Sequence, residues 1–410
     1  MASDETPPHD FAPYRLLCEI LQSFPARLAG SPEERGAQER LAKAFEEIGG
    51  EPTWHPFDWP PHLYGGLALN FGVGVLGAVV AKRSPTLGLT LGLVSTASAV
   101  SELTRRGLML RRLQGKRASQ NLMVTFRPPG EAGMEPVRRL VLLAHADSAY
   151  TGVIFNPKVI RASLRPPPEP LSWLKKQLRL PTASLAGLAA LAAARVAGAN
   201  APWIDVATGV LAIPPAIVAA LNTEVLIRNH VVPGAADNVT GCVSVVELCR
   251  RLVPVLPART ELVAVITGSE ESGTGGAFRL AEKMEGRWDK QTTTVLAIDT
   301  MTNGDLCVLE EGELWRHPVP ERLRAAIQST SAEPGMPNVR EYPIPAGATD
   351  ALPFLVRGFA AAGLSSIDPD IGAPRNYHHP TDTAENVDPA ELRRSLDFSE
   401  RLCLRILDGH

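Results

Sequence analysis

The strongest constraint on what this 410-residue chain can fold into is a set of four uncharged apolar runs arranged as two pairs. Tyr64 to Ala81 carries no charge, Lys82 and Arg83 interrupt, and Ser84 to Ser101 is again uncharged, each run being 18 residues long. Arg105, Arg106, Arg111, Arg112, Lys116 and Arg117 follow, six cations in 13 positions. Further on, Lys175, Lys176 and Arg179 precede an apolar run from Leu180 to Ala194; Arg195 and Asp205 break it, and Val206 to Thr223 is uncharged. Eighteen residues is the lower end of the length that crosses a hydrocarbon core of about 30 Å. Two arrangements satisfy the pattern. With basic residues on the side of the rest of the chain, both pairs read as hairpins entering a membrane from the cytosol, which leaves both termini and everything between the hairpins in the cytoplasm. Runs this short, rich in Gly and Ala and broken by Arg195, equally suit buried helical hairpins or a homo-oligomer interface of a soluble cytoplasmic protein. Gly88 and Gly92 have the spacing of a small-xxx-small helix contact, and Pro214-Pro215 predicts a kink in the fourth run.

The runs explain an otherwise odd composition. With 45% hydrophobic and 21% charged residues and a formal net charge of −3, the chain is globular, neither disordered nor built to coat nucleic acid. Its mean hydropathy of −0.00 is high for a soluble enzyme, and the excess is local to the four runs. The five cysteines (Cys18, Cys242, Cys249, Cys307, Cys403) form no CxxC pair and are odd in number, so buried thiols are expected rather than a disulfide framework. The opening Met-Ala-Ser-Asp-Glu-Thr-Pro-Pro lacks the basic region and apolar run of a cleaved secretory signal.

Outside the runs the pattern is α/β. Strand-like segments fall at Leu122–Phe126, Leu140–Ala144, Leu262–Thr267, Thr294–Ile298 and Leu306–Leu309. Helical stripes fall at 31–49, Gly241–Leu252, Ala277–Met284, Glu321–Ile327 and Pro389–Leu407. Strands followed by helices predict a mixed, largely parallel central sheet with helices on both faces. Such a sheet holds ligands at the carboxyl ends of its strands.

Polar residues collect at those ends. Val-Leu-Leu-Ala-His145-Ala-Asp147 delivers an imidazole and, on the same face, a carboxylate that can orient it. Pro233-Gly-Ala-Ala-Asp237-Asn-Val-Thr-Gly241 puts a carboxylate on a turn before a helix, either as its N-cap or as a bridge between two cations. In Gly268-Ser-Glu270-Glu271-Ser-Gly273, adjacent carboxylates at the end of an apolar strand repel unless a cation or proton compensates. Asp299 ends another apolar run, and Asn376-Tyr377-His378-His379-Pro380-Thr381-Asp382-Thr383 is a polar loop with two histidines. The set is the nitrogen-and-oxygen ligand kit of a dinuclear zinc hydrolase, without a thiolate.

In this order the motifs resemble the di-zinc exopeptidases of the MH clan, the family of bacterial zinc aminopeptidases, glutamate carboxypeptidase and, more distantly, glutaminyl cyclase. Arg27-Leu-Ala-Gly30-Ser31-Pro32 also resembles that family's N-terminal signature. The resemblance implies the zinc-exopeptidase fold, two Zn2+ per chain, and a peptide substrate. It makes His145, Glu271, Asp299 and His378 terminal ligands and Asp237 the bridge. It makes Glu270 the general base and acid, Asp147 the carboxylate behind His145, and Asp350 and Tyr377 substrate-binding residues; His379 is no ligand. Spacing alone also fits Glu271 as base and Glu270 as ligand. The departure is the separation of Asp147 from Asp237, which the second apolar pair fills, while the first lies before the first core strand. The expected organisation is one zinc peptidase domain (1–60, 113–165, 228–410) interrupted by hairpins at 61–112 and 166–227 that pack as an inserted four-helix apolar bundle. Aminopeptidase activity on short peptides is the leading reading; a carboxypeptidase, dipeptidase or other amide hydrolase, glutaminyl cyclase chemistry, and a non-catalytic receptor or scaffold are the alternatives.

Overall fold

Short caps and apolar runs set the element boundaries in the protein, whose computed structural model describes residues 11–131, 133–163, 177–344 and 347–409. The N-terminal part comprises α1 (Ala12–Ser23), α2 (Pro32–Glu46), β1 (Thr53–Trp59), α3 (Leu63–Val80), α4 (Pro85–Leu103), β2 (Arg117–Phe126) and β3 (Arg138–His145). Then follow α5 (Pro157–Ser163), α6 (Arg179–Val196), α7 (Pro202–Arg228), α8 (Thr240–Leu252), β4 (Thr260–Thr267), α9 (Gly275–Met284), β5 (Thr293–Ile298) and β6 (Asp305–Glu310). The C-terminal part is α10 (Glu321–Ser331), β7 (Arg340–Pro343), α11 (Leu352–Leu355), β8 (Ala360–Ile367) and α12 (Pro389–Asp408). Ser31 caps α2 by accepting from the Glu34 N–H, and Asp388 caps α12 by accepting from the N–H groups of Ala390 and Glu391, so both predicted helix starts carry their orphan donors.

The eight strands form one sheet in the order β1-β2-β4-β3-β5-β8-β6-β7. Its centre, β4-β3-β5-β8, is parallel, while β1, β2 and β6 pair antiparallel to their inner neighbours. Both faces are covered. Leu140, Leu142 and Ala144 of β3 face a core shared with α2, α8 and α12, whereas Val141 and Leu143 face a second core with α9 and α11. Alternate residues of one strand therefore bury on opposite sides, as a mixed sheet between helical layers requires. All five cysteines are free.

The four apolar runs are the helices α3, α4, α6 and α7. α3 packs on α4 and α7, α4 on α6, and α6 on α7. The Gly88/Gly92 spacing serves two neighbours rather than one: a Cβ on Gly88 would lie 2.6 Å from Ala81 Cβ beyond α3, and one on Gly92 3.1 Å from Ala189 Cα on α6. α7 continues through Pro214 and Pro215. The residues that interrupt the runs meet at the tips, where Asp205 pairs with Lys82 at 3.0 Å and with Arg195 at 2.5 Å. The cations after the first pair divide. Arg105 and Arg111 are buried in ion pairs with Glu313 at 3.2 Å and Glu102 at 2.9 Å, leaving Arg106, Arg112, Lys116 and Arg117 exposed. Lys175 and Lys176 lie outside the described residues, as do the first ten and the opening of the expected 166–227 hairpin.

Candidate metal centre

Three neighbouring parallel strands end at one place. β3 ends on His145, β4 runs out through Gly268 into Glu270 and Glu271, and the β3–β5 register, with Leu143 opposite Ala297, brings Asp299 beside His145. The loop after β8 supplies Tyr377 and His378, and the turn before α8 supplies Asp237. Asp237 sits between the two imidazoles: its Oδ1 is 3.2 Å from His145 Nε2 and its Oδ2 is 3.2 Å from His378 Nε2. Asp299 Oδ1 and Glu270 Oε2 each lie 4.0 Å from His145 Nε2, and Glu271 Oε1 lies 3.4 Å from His378 Nε2. His145, Asp237 and Asp299 form one triplet with ligand atoms within 4.8 Å of one another, and Asp237, Glu271 and His378 form another, so Asp237 is common to both. His145, Glu270 and Glu271 form a third triplet by the same measure.

Hydrogen bonds preset these side chains. His145 Nδ1 lies 3.1 Å from the Asp147 carbonyl, so its proton goes there and Nε2 is free to face the cluster. The Asp147 carboxylate accepts from the backbone N–H groups of Glu270 (3.0 Å) and Glu271 (2.9 Å), clamping the acidic turn while standing 3.6 Å behind His145 Nδ1. Asp350 accepts from the Thr267 hydroxyl at 2.5 Å, while its buried Oδ1 has no hydrogen-bond partner. The Tyr377 ring lies tilted beside that of His378, with ring centroids 4.0 Å apart.

Four supports were not assigned from the sequence. Asp382 accepts from the N–H groups of Ala236 (2.8 Å) and Asp237 (3.1 Å), fixing the turn that carries the shared carboxylate. The fully buried Arg27 donates to the carbonyls of Ala146 (2.7 Å), Pro233 (2.8 Å) and Gly234 (3.0 Å), tying the His145 and Asp237 segments together. Both residues lie in motifs already singled out, so the signal was present without a role attached. Ser272, which follows Glu271, has its carbonyl held by Trp59 Nε1 at 2.9 Å and by Arg111 Nη2. Tyr64, the second residue of α3, brings its hydroxyl 3.5 Å from His378 Nδ1; nothing in an apolar run marks that contact.

The electrostatics call for positive charge. Burial, with Glu271, Asp350 and Asp299 nearby and only His145 opposing, holds the Glu270 carboxyl well above its usual range. Burial and the neighbouring Asp237 push Asp299 up to about 7. Burial alone would lower the His378 imidazole, but Glu271 and Asp237 outweigh it and hold it up to about 10. Without ions the cluster keeps protons that divalent cations would replace, and its oxygen and imidazole donors suit zinc.

The parallel-centred mixed sheet between helical layers is an α/β fold like that of the zinc exopeptidases. Residues 221–402 match Peptidase family M28. The matched segment carries Asp237, Glu270, Glu271, Asp299 and His378, five of the six residues that form the triplets. No curated protein matches it significantly in sequence. In fold it is similar to a zinc aminopeptidase from Bacillus subtilis (TM-score 0.56, 12% identity, covering 96% of this chain and 94% of that one). It is similar as well to an aminopeptidase from Aneurinibacillus sp. strain AM-1 (TM-score 0.55, 15% identity, 96% and 92%). A glutaminyl cyclase from an Acidobacteriales bacterium also shares the fold (TM-score 0.53, 14% identity, 100% and 99%).

Proposed function

We propose that the protein is a two-zinc aminopeptidase that removes N-terminal residues from short peptides and is held at a membrane, its catalytic part facing the cytoplasm, by the apolar helices inserted at 61–112 and 166–227. The observation that carries the reading is the single carboxylate of Asp237 between two imidazoles, each with a further carboxylate of its own. His145 and Asp299 would hold one ion, His378 and Glu271 the other, and Asp237 both. Two cations held by these residues would supply Lewis acidity toward a carbonyl and lower the pKa of water.

Glu270 is the proton carrier. It lies next to a ligand yet is left over when Asp237 joins the two triplets, and its raised carboxyl suits it to take a proton from the attacking water and return it to the leaving amine. Asp147 aims both ends of this machinery, fixing the His145 tautomer and the Glu270–Glu271 backbone together. Asp350 and Tyr377 would line the substrate side. The buried, unpartnered Oδ1 of Asp350 suits the N–H or ammonium of an arriving peptide.

Metal content and a base variant test the reading together. The wild type is expected to bind about two zinc ions per chain and to cleave aminoacyl substrates in preference to N-blocked ones, with Glu270→Ala retaining metal but losing about a hundred- to ten-thousandfold in kcat. Fewer than one zinc per chain, or an active Glu270→Ala, would sink the mechanism; preference for N-blocked substrates would make the enzyme a carboxypeptidase.

A further inference from the structure

The roots of both inserted helix pairs form part of the wall of the metal centre. α3 begins at Leu63, after Pro60-Pro61 and the N-cap His62, and Pro61, Leu63, Arg117 and Tyr150 line a small cleft that reaches Glu271 and Ser272. One residue further, Tyr64 comes within 3.5 Å of His378 Nδ1. α7 arrives from the opposite direction, and Val225 in its last turn buries against Tyr64, Tyr150 and Phe155, with the Phe155 ring 4.3 Å from the His378 ring. The site therefore lies where the apolar helices start, within about one helical turn.

Away from that end the helices present apolar side chains outward. Val206, Val210, Ile213 and Ile217 are 67%, 59%, 56% and 53% exposed and recur every three to four residues, one uncharged stripe along α7. Leu76, Val79, Leu87 and Leu93 are exposed on α3 and α4. Charge is confined to the two ends. The Lys82–Asp205–Arg195 cluster closes the far tip, and Arg106, Arg112, Lys116 and Arg117, which follow α4 at the other end, are exposed, Arg117 lining the cleft. Between them, the 18 residues of α3 span about 27 Å, close to the hydrocarbon thickness of a bilayer. A band of that height, bounded by polar caps and with cations on the side of the active site, matches a bilayer with an anionic surface leaflet better than a second copy of the chain.

We infer that the cleft opens at the lipid–water boundary and that the substrates are membrane-tethered: peptides whose free N-terminus emerges at the bilayer surface while the remainder is anchored in it. This rests on the peptidase reading above. A tethered substrate is confined to the plane in which the cleft sits, which raises its effective concentration without any new contact.

The test uses the full chain reconstituted in phosphatidylcholine vesicles containing a minor share of phosphatidylglycerol. One aminoacyl peptide is supplied free in solution or joined at its C-terminal end to a phospholipid by a short flexible linker. The expected result is that kcat/KM for the tethered form exceeds the free form by at least about tenfold in shared vesicles, and that the advantage vanishes when enzyme and tethered substrate occupy separate vesicles. Equal efficiency on both forms, or cleavage of the free form alone, overturns the inference and leaves the peptidase reading standing; cleavage of neither overturns both. As a second arm, Val210→Lys with Ile217→Lys charges the stripe far from the metal centre. Free-peptide activity is expected to persist and the tethered advantage to fall. A detergent-free soluble dimer of the wild type with the α7 stripe buried between copies would also overturn it.

Discussion

At the scale of single residues, the candidate metal centre depends on acceptors that hold the backbone of its donor residues. Asp382 has no contact with the imidazoles, yet it takes the N–H groups of Ala236 and Asp237, so the position of the shared carboxylate depends on it. Asp382→Asn keeps one acceptor oxygen and turns an amide donor toward the other N–H; Asp382→Ala leaves both unpaired, at about 1–3 kcal/mol each. Supports of this kind carry about 10- to 100-fold in metal affinity or activity. The expected order in zinc retention during competition with a chelator is wild type, then Asn, then Ala, with circular dichroism unchanged in the Asn variant. Retention equal to wild type in both variants would show that the turn holds itself.

At the scale of elements, strands with continuous apolar runs were legible because such runs match a two-sided buried sheet: β3, β4 and β5 fall within two residues of their expected bounds at either end. β8 was not legible. Ala360-Ala-Ala-Gly-Leu-Ser-Ser-Ile has poor strand composition, and the reason is lateral crowding: a Cβ on Gly363 would stand 2.7 Å from Thr349 Oγ1, so the sheet centre needs small side chains there. β1 was hidden by Pro56, tolerable because the strand is at the sheet edge. The motifs around His145, Asp237, Glu270 and Asp299 could be read because each follows an apolar strand or opens a helix, whereas Trp59, Tyr64 and Arg111 approach the site only through tertiary packing. That packing has a functional consequence. Arg111 joins Glu102 of α4 to the Ser272 carbonyl, and Trp59 shares that carbonyl, so α4 is tied to the Glu270–Glu271 turn. Trp59→Phe removes one neutral hydrogen bond and replaces a buried indole by a smaller ring. It should cost about 1–3 kcal/mol in urea unfolding and lower kcat, because the braced turn carries the proposed base Glu270. A fall in stability with kcat intact would make the brace structural only.

At the scale of the whole molecule, folding and metal binding are coupled through the charge buried at the centre. Without ions, Glu270, Glu271 and Asp299 all hold protons more tightly in the folded chain than in the unfolded one, and so do His145 and His378. A raised folded-state pKa contributes stability that is complete below the unfolded value and is lost as pH rises through the folded one. For Asp299 that window runs from the ordinary carboxylate range to about 7, and for His378 from the ordinary imidazole value to about 10. Asp237 is shifted the other way, held low by the two imidazoles against burial, so its contribution is lost only in acid and does not offset the others above about pH 5. The chelated protein should therefore lose stability steadily between about pH 6 and pH 9, while the zinc-loaded protein, whose cations replace those protons, should change much less. Zinc in about hundredfold excess over its dissociation constant adds about 2.7 kcal/mol to the folded state, so the two unfolding curves should diverge toward high pH. Thermal unfolding at about pH 6 and about pH 9, with and without chelator, measures this directly. A chelated protein equally stable at both values would mean that the carboxylates and imidazoles compensate one another and that the fold makes no demand for cations at its centre.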